Sequence, residues 1–434
     1  MAVRGSGLYT GCMEASLINS LFFAKGGETN IYAIVAPVVV ALIALEIAAS
    51  VYLRRQLISF QEAVMNFGTQ LCNQTTNVLV AVVVVTLYGW LWRNYRAFDL
   101  QMTPLLWVAL FLGVDFIFYW VHRWAHATNI GWAAHSPHHS AQEMNFFVAL
   151  RASVTMRIYS FFFFWPLALL GFKPEHIVMM TGIHLFQAFL HHTELVPKLW
   201  KPIEFLFTTP SHHRVHHGMN FAYLDKNFSE FLIIWDRLFG TFAQENEKVA
   251  YGMYDGPTSW NPLRINFHYY QKVWQLSQTF PRTADKFKVW FMPLTWRPAG
   301  VAPFVMGAET NATNQMRFET TPFVRAKPYL ALHAVLGLLL VLLVIKGNSP
   351  WSPEQRWAGA ALLWMAVFNW SGILEARRWL LPAELLRLAL TAAAFLSYSS
   401  SSSAEQAVIA LLAVGSAGWA WLNFRVAPAA EVAA

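Results

Sequence analysis

The chain has 434 residues, of which 56% are hydrophobic and 13% charged, and its mean hydropathy is +0.37. Soluble domains carry about 25% charged residues, so this composition excludes an ordinary water-soluble domain and indicates a protein that lies mainly in lipid. The net charge of +7 comes without a basic cluster or a stacking platform, which argues against a nucleic-acid partner. Two cysteines, Cys12 and Cys72, exclude a disulfide scaffold and a zinc site built on cysteine pairs.

Apolar runs of membrane-spanning length recur along the chain and predict seven to nine spans, because a spanning helix needs about twenty apolar residues. In chain order the runs occupy residues 31–53, 75–92, 104–121, 154–171, 176–190, 329–345, 356–373, 383–397 and 404–424. Helices satisfy all their own backbone hydrogen bonds in lipid. The predicted fold class is therefore all-α, a polytopic membrane helical bundle.

The longest stretch without a spanning run, residues 191–328, contains more Lys and Arg than Asp and Glu. We expect it to form a water-facing helical cap, and the positive-inside rule places such a stretch in the cytoplasm. The arginine pairs at 54–55 and 377–378 fall on that same side if the N-terminus is outside, whereas Arg93 and Arg96 would then face outward.

Histidines cluster between residues 122 and 217, at the ends of apolar runs. They form the boxes His122-x3-His126, His135-x2-His138-His139, His191-His192 and His212-His213-x2-His216-His217. Residues three or four apart share one helix face, with Cβ atoms about 5–6 Å apart, so each box can aim several imidazoles at one point. Pro137 lies inside the second box and predicts that this box forms the first turn of a helix or a bent connection.

The number of histidines predicts two metal ions. Neutral imidazole binds iron, copper and zinc, and a single zinc ion takes three or four protein ligands. Few carboxylates and no cysteines lie in the boxes, which excludes a ferritin-like Glu and Glu-x-x-His site and an iron–sulfur cluster. The alternative is a set of surface histidines at the membrane–water boundary, which would leave many imidazoles near lipid without partners at a cost in free energy.

These boxes at the ends of spans resemble the fatty acid hydroxylase/sterol desaturase superfamily of membrane di-iron enzymes, and within it the alkylglycerol monooxygenase-like proteins. The resemblance covers about residues 105–300. It is carried by HRWAHATNIGWAAHSPHHSAQEMNFFVALR (122–151), HTELVPKLWKPIEFLFTTPSHHRVHHGMN (192–220) and YLDKNFSEFLIIWDRLFGTF (223–242), and more loosely by SWNPLRINFHYY and DKFKVWFMPLTWRP within 259–298.

The resemblance implies two iron ions that activate O2 in the cytoplasm-facing cap of an integral membrane protein, in a bacterial inner membrane or the endoplasmic reticulum. The metal ligands that it implies are His122, His126, His135, His138, His139, His213, His216 and His217, with His192 as an additional ligand. His191 and His212 are weaker candidates, and His184 is a weaker ligand or a supporting group.

The resemblance also implies an external reductant, which an electron-donor protein or a diffusible cofactor would supply. No Gly-rich dinucleotide motif or haem-attachment motif is present in the sequence. Alkylglycerol monooxygenases typically carry Glu directly after the second histidine, in association with a tetrahydropterin reductant. Here that position is Ala127, which puts the pterin requirement in doubt and weakens the assignment of an ether-lipid substrate.

Polar residues near the boxes are candidates to orient the ligands or to take part in catalysis. Asp115 lies within a predicted span, where an ionisable side chain indicates function, although a pair with Arg123 or a tyrosine is an equal alternative. Glu143 and Asn145 follow the second box. Arg151 is expected to brace the adjoining loop. Further candidates follow the later boxes: Glu194, Asp225, Asn227, Glu230 and Asp236.

We expect three regions: an N-terminal transmembrane region (1–100), a fatty acid hydroxylase-like catalytic domain (101–328) and C-terminal transmembrane helices (329–434) that shield the site or bind lipid. In the last region, His333 is interpreted as a satisfied polar group. The predicted function is O2-dependent hydroxylation of an aliphatic C–H bond of a long-chain lipid, with an ether lipid as one candidate. The alternatives are a lipid or sterol desaturase or C-methyl oxidase with the same site, and a metal-transport or metal-binding membrane protein, which would place polar residues near the midplane of several spans.

Overall fold

The structure, a computed structural model, describes residues 31–345, 349, 351–398 and 403–425. Residues 1–30, with Cys12 and the start of the predicted N-terminal region, lie outside the described residues. The helices of the described residues are α1 (Ile31–Tyr52), α2 (Phe60–Tyr95), α3 (Pro104–Ala127), α4 (Asn129–His139), α5 (Phe146–Ala149), α6 (Met156–Ser160), α7 (Trp165–Leu170), α8 (Pro174–His191), α9 (Lys201–Leu206), α10 (Pro210–His216), α11 (Ile234–Leu238), α12 (Pro262–Gln278), α13 (Thr283–Lys288), α14 (Ala326–Ile345), α15 (Pro353–Leu374), α16 (Leu380–Tyr398) and α17 (Ser403–Asn423). Short 3-10 helices occupy Phe161–Phe164, Phe221–Tyr223 and Val289–Phe291. One isolated antiparallel bridge joins Gly218 and Tyr251, and the described residues contain no extended strand.

Six helices of the described ranges are long and apolar enough to cross a membrane: α2, α3, α14, α15, Leu380–Ser397 of α16, and α17. The prediction of an all-α, polytopic membrane bundle is confirmed, but the number of such helices is below the seven to nine expected. The run 154–171 is not one helix, because a 3-10 segment precedes Pro166 and Gly171 ends α7 with a φ of +112°. The run 176–190 lies in α8, which carries three histidines and Gln187 and is not among the six.

Helix α2 is longer than the run 75–92 from which it was predicted. Its first half is polar, yet most of it is buried in the protein. Leu71 packs with the C-terminal helices α14 and α15, whereas Val84 packs with α3 and α7. Tertiary packing rather than lipid therefore covers the polar half of α2, and this helix, itself in the first predicted region, packs against helices of the other two. The three-region division itself stays a prediction.

A glycine sets the close approach of α2 to α15. A Cβ atom on Gly68 would lie 2.8 Å from Cγ1 of Val367 and 3.1 Å from the ring of Trp370. Any larger side chain there would push the two helices apart. This contact fixes the C-terminal helices against the half of the molecule that contains the histidines.

The C-terminal helices contain a buried ion pair that the sequence analysis did not anticipate. Glu384 and Arg387 are 0% and 5% exposed, and they pair with each other on α16. Tyr329 and Asn369 donate hydrogen bonds to Glu384. The prediction that His333 is satisfied is only half right, because its Nδ1 lies 3.3 Å from Arg387 while its buried Nε2 has no partner.

Residues 128–155 and 191–325 lie at one end of the bundle and form the cap, whereas residues 161–180 reach the other end, where the amide of Ala97 donates to the carbonyl of Leu169. Several spans begin or end at the level of the cap, as shown by a hydrogen bond from the amide of Phe323, before α14, to the carbonyl of Ile373, near the end of α15. The amide of Ser59, before α2, likewise donates to Glu143 of the cap at 3.0 Å. The histidine boxes lie at this end of the bundle.

Candidate metal centre

The turn between α3 and α4 brings the first two histidine boxes together. Thr128 accepts a hydrogen bond from the amide of Gly131 at 3.3 Å and donates its own amide to the carbonyl of Trp124 at 3.2 Å. A Cβ on Gly131 would lie 2.7 Å from the Cα of Ala125, so only glycine fits this turn. Helix α4 therefore folds back along α3.

The expectation for Pro137 was wrong. It lies in the last turn of α4 rather than in a first turn or a bend, because α4 begins at Asn129 and continues to His139. Proline removes one backbone donor, and the helix ends two residues later, so little of the helix depends on the missing bond. The third box begins differently: Pro210 opens α10, a position where the absent amide is unneeded, and His217 caps its end.

The nine histidines predicted as ligands converge in two groups, within each of which one ring nitrogen per residue lies within 4.8 Å of all the others. The first group contains five histidines: His122, His126, His135, His139 and His216. The second contains four: His138, His192, His213 and His217. All are buried except His138, which is partly exposed.

The distances between the Nε2 atoms fit metal coordination. In the first group, His135 Nε2 lies 2.9 Å from His122 Nε2 and 3.0 Å from His139 Nε2. In the second, His192 Nε2 lies 3.2 Å from His138 Nε2 and 3.0 Å from His213 Nε2. For metal–nitrogen bonds of about 2.1 Å, neighbouring ligand atoms lie about 3.0 Å apart at a right angle and about 3.4 Å apart in a tetrahedron. The nitrogens are thus spaced as ligands of common ions.

The other ring nitrogen of several of these histidines donates to a backbone carbonyl, which fixes the tautomer. In the second group, Nδ1 of His138 bonds the carbonyl of Arg151 at 3.1 Å, and Nδ1 of His192 bonds that of Ala188 at 2.8 Å. Because a carbonyl only accepts, both protons are on Nδ1, and the two Nε2 lone pairs face each other across 3.2 Å. Facing lone pairs repel unless a cation lies between them, so these residues fit a metal ion.

The first group has the same arrangement. Nδ1 of His122 bonds the carbonyl of Phe228 at 2.9 Å, and Nδ1 of His216 bonds that of Lys226 at 2.9 Å. Nε2 of His216 is buried and has no hydrogen-bond partner. A buried imidazole nitrogen with a free lone pair is costly unless it binds something, which again favours a metal ion.

Burial keeps the site neutral. It lowers the pKa of His138 to about 4, and it lowers the pKa of His135, His139, His192 and His217 well below the ordinary value, with the neighbouring imidazoles adding to the effect. At neutral pH these rings are uncharged, which is the form that binds metal.

A strained loop aims the carbonyls of Lys226 and Phe228 at the histidines. Asp225 and Asn227 adopt positive φ angles of 54° and 55°, a region that Asp and Asn tolerate better than most residues. The side-chain amide of Asn227 donates hydrogen bonds to the backbone carbonyls of His212 and Ala243.

Two carboxylates near this loop also contact the first group. Asp225 Oδ1 lies 3.4 Å from His126 Nδ1, and Glu230 Oε1 lies 3.7 Å from His122 Nδ1. Asp236 accepts the amides of Phe228 and Ser229, both at 2.8 Å. The sequence pointed to these acidic residues but not to the carbonyls, which carry no side-chain signal.

The three residues proposed from the sequence as catalytic hold the framework of the site. Asp115 accepts hydrogen bonds from the backbone amides of Phe231 and Leu232 at 3.0 and 3.1 Å, and from Trp235 Nε1 at 2.9 Å. It does not pair with Arg123, which donates to Tyr119 instead.

Glu143 and Asn145 join the cap to the start of α2. Glu143 accepts from Ser59 and Asn145, while Asn145 donates to the carbonyl of Leu57 at 2.8 Å. None of the described hydrogen bonds of Asp115, Glu143 or Asn145 reaches one of the nine histidines, and a catalytic role for them stays a prediction. Arg151 binds Glu62 on α2 at 3.3 Å while its carbonyl accepts from His138, so it braces the loop as expected.

The three weaker histidine candidates lie outside both groups. His184 contacts Asp115 at 3.5 Å, His191 contacts Gln187 at 3.1 Å, and His212 contacts Glu204 at 3.0 Å. Glu194, another candidate from the sequence, pairs with Arg55 at 3.5 Å and ties the end of α1 to the cap.

A cavity of about 390 Å³ opens onto the histidines from the cap side. Four ring side chains form its inner end: His126, His139, His216 and His217. The rest of its wall is mainly apolar and aromatic, with Trp132, Met219, Tyr269 and Phe304 among the lining residues, and Lys272 and Arg297 also line it. No local sequence pattern indicated this cavity, because its walls come from five separate segments, at 126–139, 216–225, 252–255, 269–276 and 294–306.

The fold and site define a polytopic helical membrane protein with a buried, two-group histidine centre under a cap. Residues 107–241 match the family model "Fatty acid hydroxylase". This stretch contains both histidine groups. The resemblance predicted from the sequence is thereby confirmed.

Several curated proteins are similar to the chain. The alkylglycerol monooxygenase of Homo sapiens is 38% identical over 264 residues, which is 60% of this chain and 59% of that protein. An ornithine lipid hydroxylase of Rhizobium tropici is 31% identical over 136 residues, covering 30% of this chain and 39% of that protein. A Delta(7)-sterol 5(6)-desaturase of Aspergillus fumigatus is 29% identical over 169 residues, covering 36% and 44%. No solved structure matches the chain.

Proposed function

We propose that the chain is a membrane di-iron oxygenase that hydroxylates an aliphatic C–H bond of a long-chain lipid with O2. The nine histidines of the two groups are the proposed ligands. The observation that carries the proposal is the pair of groups itself, in which Nε2 lone pairs face one another while backbone carbonyls hold the Nδ1 protons. The similarity of the chain to lipid hydroxylases supports the choice of reaction.

Bound iron would supply the activation of O2 and the transfer of one oxygen atom to the lipid. Overall, one O2, two electrons and two protons convert a C–H bond into an alcohol and water. The protein holds the imidazoles in one tautomer through the carbonyls of Arg151, Ala188, Lys226 and Phe228. The mainly apolar cavity beside His126 and His139 admits an alkyl segment and excludes water from the site.

The human relative and one position in the sequence guide the choice of substrate and reductant. The name of the human relative favours an ether lipid of the alkylglycerol type as substrate. Ala127 stands directly after His126, where that subfamily typically has Glu, so we do not assign tetrahydropterin as the reductant. An electron-donor protein or another diffusible reductant supplies the two electrons.

Desaturation is the second candidate, and the similarity to a sterol desaturase favours it. Both reactions begin by removing hydrogen at the same site, and they differ in whether oxygen enters the product. Metal transport is less well supported, because the histidines cluster under the cap rather than at the midplane of several spans.

We also propose that the cap faces the cytoplasm, in a bacterial inner membrane or the endoplasmic reticulum. Arg55 pairs with Glu194 of the cap, and Arg377 pairs with Glu375, which accepts the amide of Trp260 of the cap. Both predicted arginine pairs therefore lie at the cap end of the bundle, as the positive-inside rule requires of the cytoplasmic side.

Metal analysis of the purified full-length chain tests the proposal. We expect close to two irons per chain, and His138→Ala should lose iron and activity. His176→Gln, at the start of α8 and outside both groups, is the matched control and should keep both. A full iron complement in His138→Ala would contradict the assignment of the second group.

Isotope labelling separates the reactions. Membranes are incubated with ¹⁸O2 and a lipid mixture that includes alkylglycerols. A labelled alcohol, or a product derived from it, supports hydroxylation. An alkene without label supports desaturation instead, and iron binding without any lipid product would favour a metal-binding role.

A further inference from the structure

Helix α12 presents an uncovered apolar face. Phe267 and Trp274 follow Leu263 by four and eleven residues, so the three side chains share one side of the helix. Phe267, Trp274 and Leu263 are 44%, 60% and 44% exposed, respectively. Beyond α12, Phe287 and Phe291 are 71% and 66% exposed. Large aromatic side chains at this spacing are unusual on a surface that faces water.

The same segment is strongly basic. Residues 262–297 contain a single acidic residue, Asp285, against six basic ones: Arg264, Lys272, Arg282, Lys286, Lys288 and Arg297. Of these, Lys272 pairs with Asp255 at 3.2 Å. An apolar aromatic face combined with Lys and Arg is typical of segments that lie in the interface of an anionic membrane.

Both ends of the segment are tied to places where spans leave the bilayer. At its start, Ser259 and Trp260 donate to Glu375, the residue that follows α15, at 2.7 and 2.6 Å. At its end, the amide of Asn129, two residues after α3, donates to the carbonyl of Met292 at 3.0 Å. The segment therefore runs across the cap end of the bundle at the level of the membrane boundary.

We propose that residues 262–291 lie on the bilayer surface, with the exposed aromatic side chains among the lipids and the basic side chains on anionic headgroups. The inward side of α12 carries Tyr269, Val273 and Leu276, which line the cavity that reaches the histidines. Helix α12 is thus the wall between the leaflet and the cavity, and it holds the cavity beside the lipid phase. The two anchors at span ends and the positive charge favour the bilayer over a partner protein or a second copy as the occupant.

Depth-dependent fluorescence quenching in the full-length chain tests this surface. Single cysteines at Trp274→Cys and Phe287→Cys carry an environment-sensitive fluorophore, in a Cys12→Ala background, and Cys72 is fully buried. Met316→Cys, at a cap position that is 87% exposed and outside the segment, is the control. The vesicles contain phosphatidylcholine with or without phosphatidylglycerol, and a fraction of the lipid carries a nitroxide near the headgroup.

Labels at 274 and 287 should lose severalfold more fluorescence to the nitroxide lipid than the label at 316, with a larger effect when phosphatidylglycerol is present. Lys286→Glu combined with Lys288→Glu should remove the dependence on phosphatidylglycerol. Quenching of 274 and 287 only by aqueous iodide, as at 316, would overturn the proposal. So would shielding that depends on protein density in the vesicle, because that result indicates a second copy. The readout uses neither iron nor activity, so it stands apart from the proposed reaction, and circular dichroism confirms that each variant is folded.

Discussion

Replacing Gly131 with alanine should disrupt the first histidine group by forcing α4 away from α3. The added Cβ would lie 2.7 Å from the Cα of Ala125, 2.8 Å from Oγ1 of Thr128 and 2.9 Å from the carbonyl oxygen of Trp124. Two of these atoms are backbone and cannot rotate away. Overpacking of this kind costs about 1–3 kcal/mol. Because His122 and His126 precede the turn and His135 follows it, that strain falls on the geometry of the site.

If the strain is relieved when the histidines separate, it appears as weaker metal binding. At about 1.4 kcal/mol per tenfold change, 1–3 kcal/mol corresponds to roughly a 5- to 150-fold loss of affinity. The assay is iron retention of the purified protein against a chelator series. Gly418→Ala is the control, since nothing lies within 4 Å of the added Cβ on α17. Wild-type iron affinity and stability in Gly131→Ala would refute the reasoning about this turn.

Three further predictions concern the site and the core. Metal removal by a chelator should lower the unfolding temperature, because the facing lone pairs of the imidazoles then repel. Added Zn²⁺ should restore the stability without restoring lipid oxidation. An unchanged unfolding temperature would argue against bound metal. Asn227→Ala should reduce iron content, since the loop loses its side-chain bonds to His212 and Ala243, whereas Asn94→Ala, an exposed position, should not. Glu384→Ala should destabilise the chain by about 3–5 kcal/mol in a denaturant titration, because Arg387 remains buried without its partner; equal stability would show that the pair contributes nothing.

The histidine boxes could be recognised from the sequence because the spacing within each box is local, whereas the choice of ligands within them, including His192, came from the resemblance to the family. Three- and four-residue intervals place His122 with His126, and His213 with His217, whatever the rest of the chain does. The division into two groups could not be predicted. The neighbours His138 and His139 belong to different groups, and that depends on where His192 and His216 arrive from other helices.

The fold was predictable in kind but not in its details. Mean hydropathy identifies a span only when the helix itself is apolar, so it located α14 and α15 but missed the first half of α2, where the polar side chains of Asn66 and Asn73 are buried by protein. The run 154–171 was mainly apolar, yet proline and glycine geometry divided it. The carbonyls that fix the imidazoles leave no trace in the sequence, since every residue has one.

The two histidine groups are joined by single peptide bonds. His138 and His139 are consecutive and belong to different groups, and so are His216 and His217. Within each pair the ring planes are nearly perpendicular, at 82° and 90°. A rotation of the last turn of α4 or α10 therefore moves a ligand of each group at the same time. If the proposed ions bind, an ion seated in one group would immobilise these turns and preorganise the other group, so the second ion would lose less conformational entropy on binding than the first. For the proposed di-metal centre, this chain connectivity predicts cooperative loading, with few singly occupied molecules.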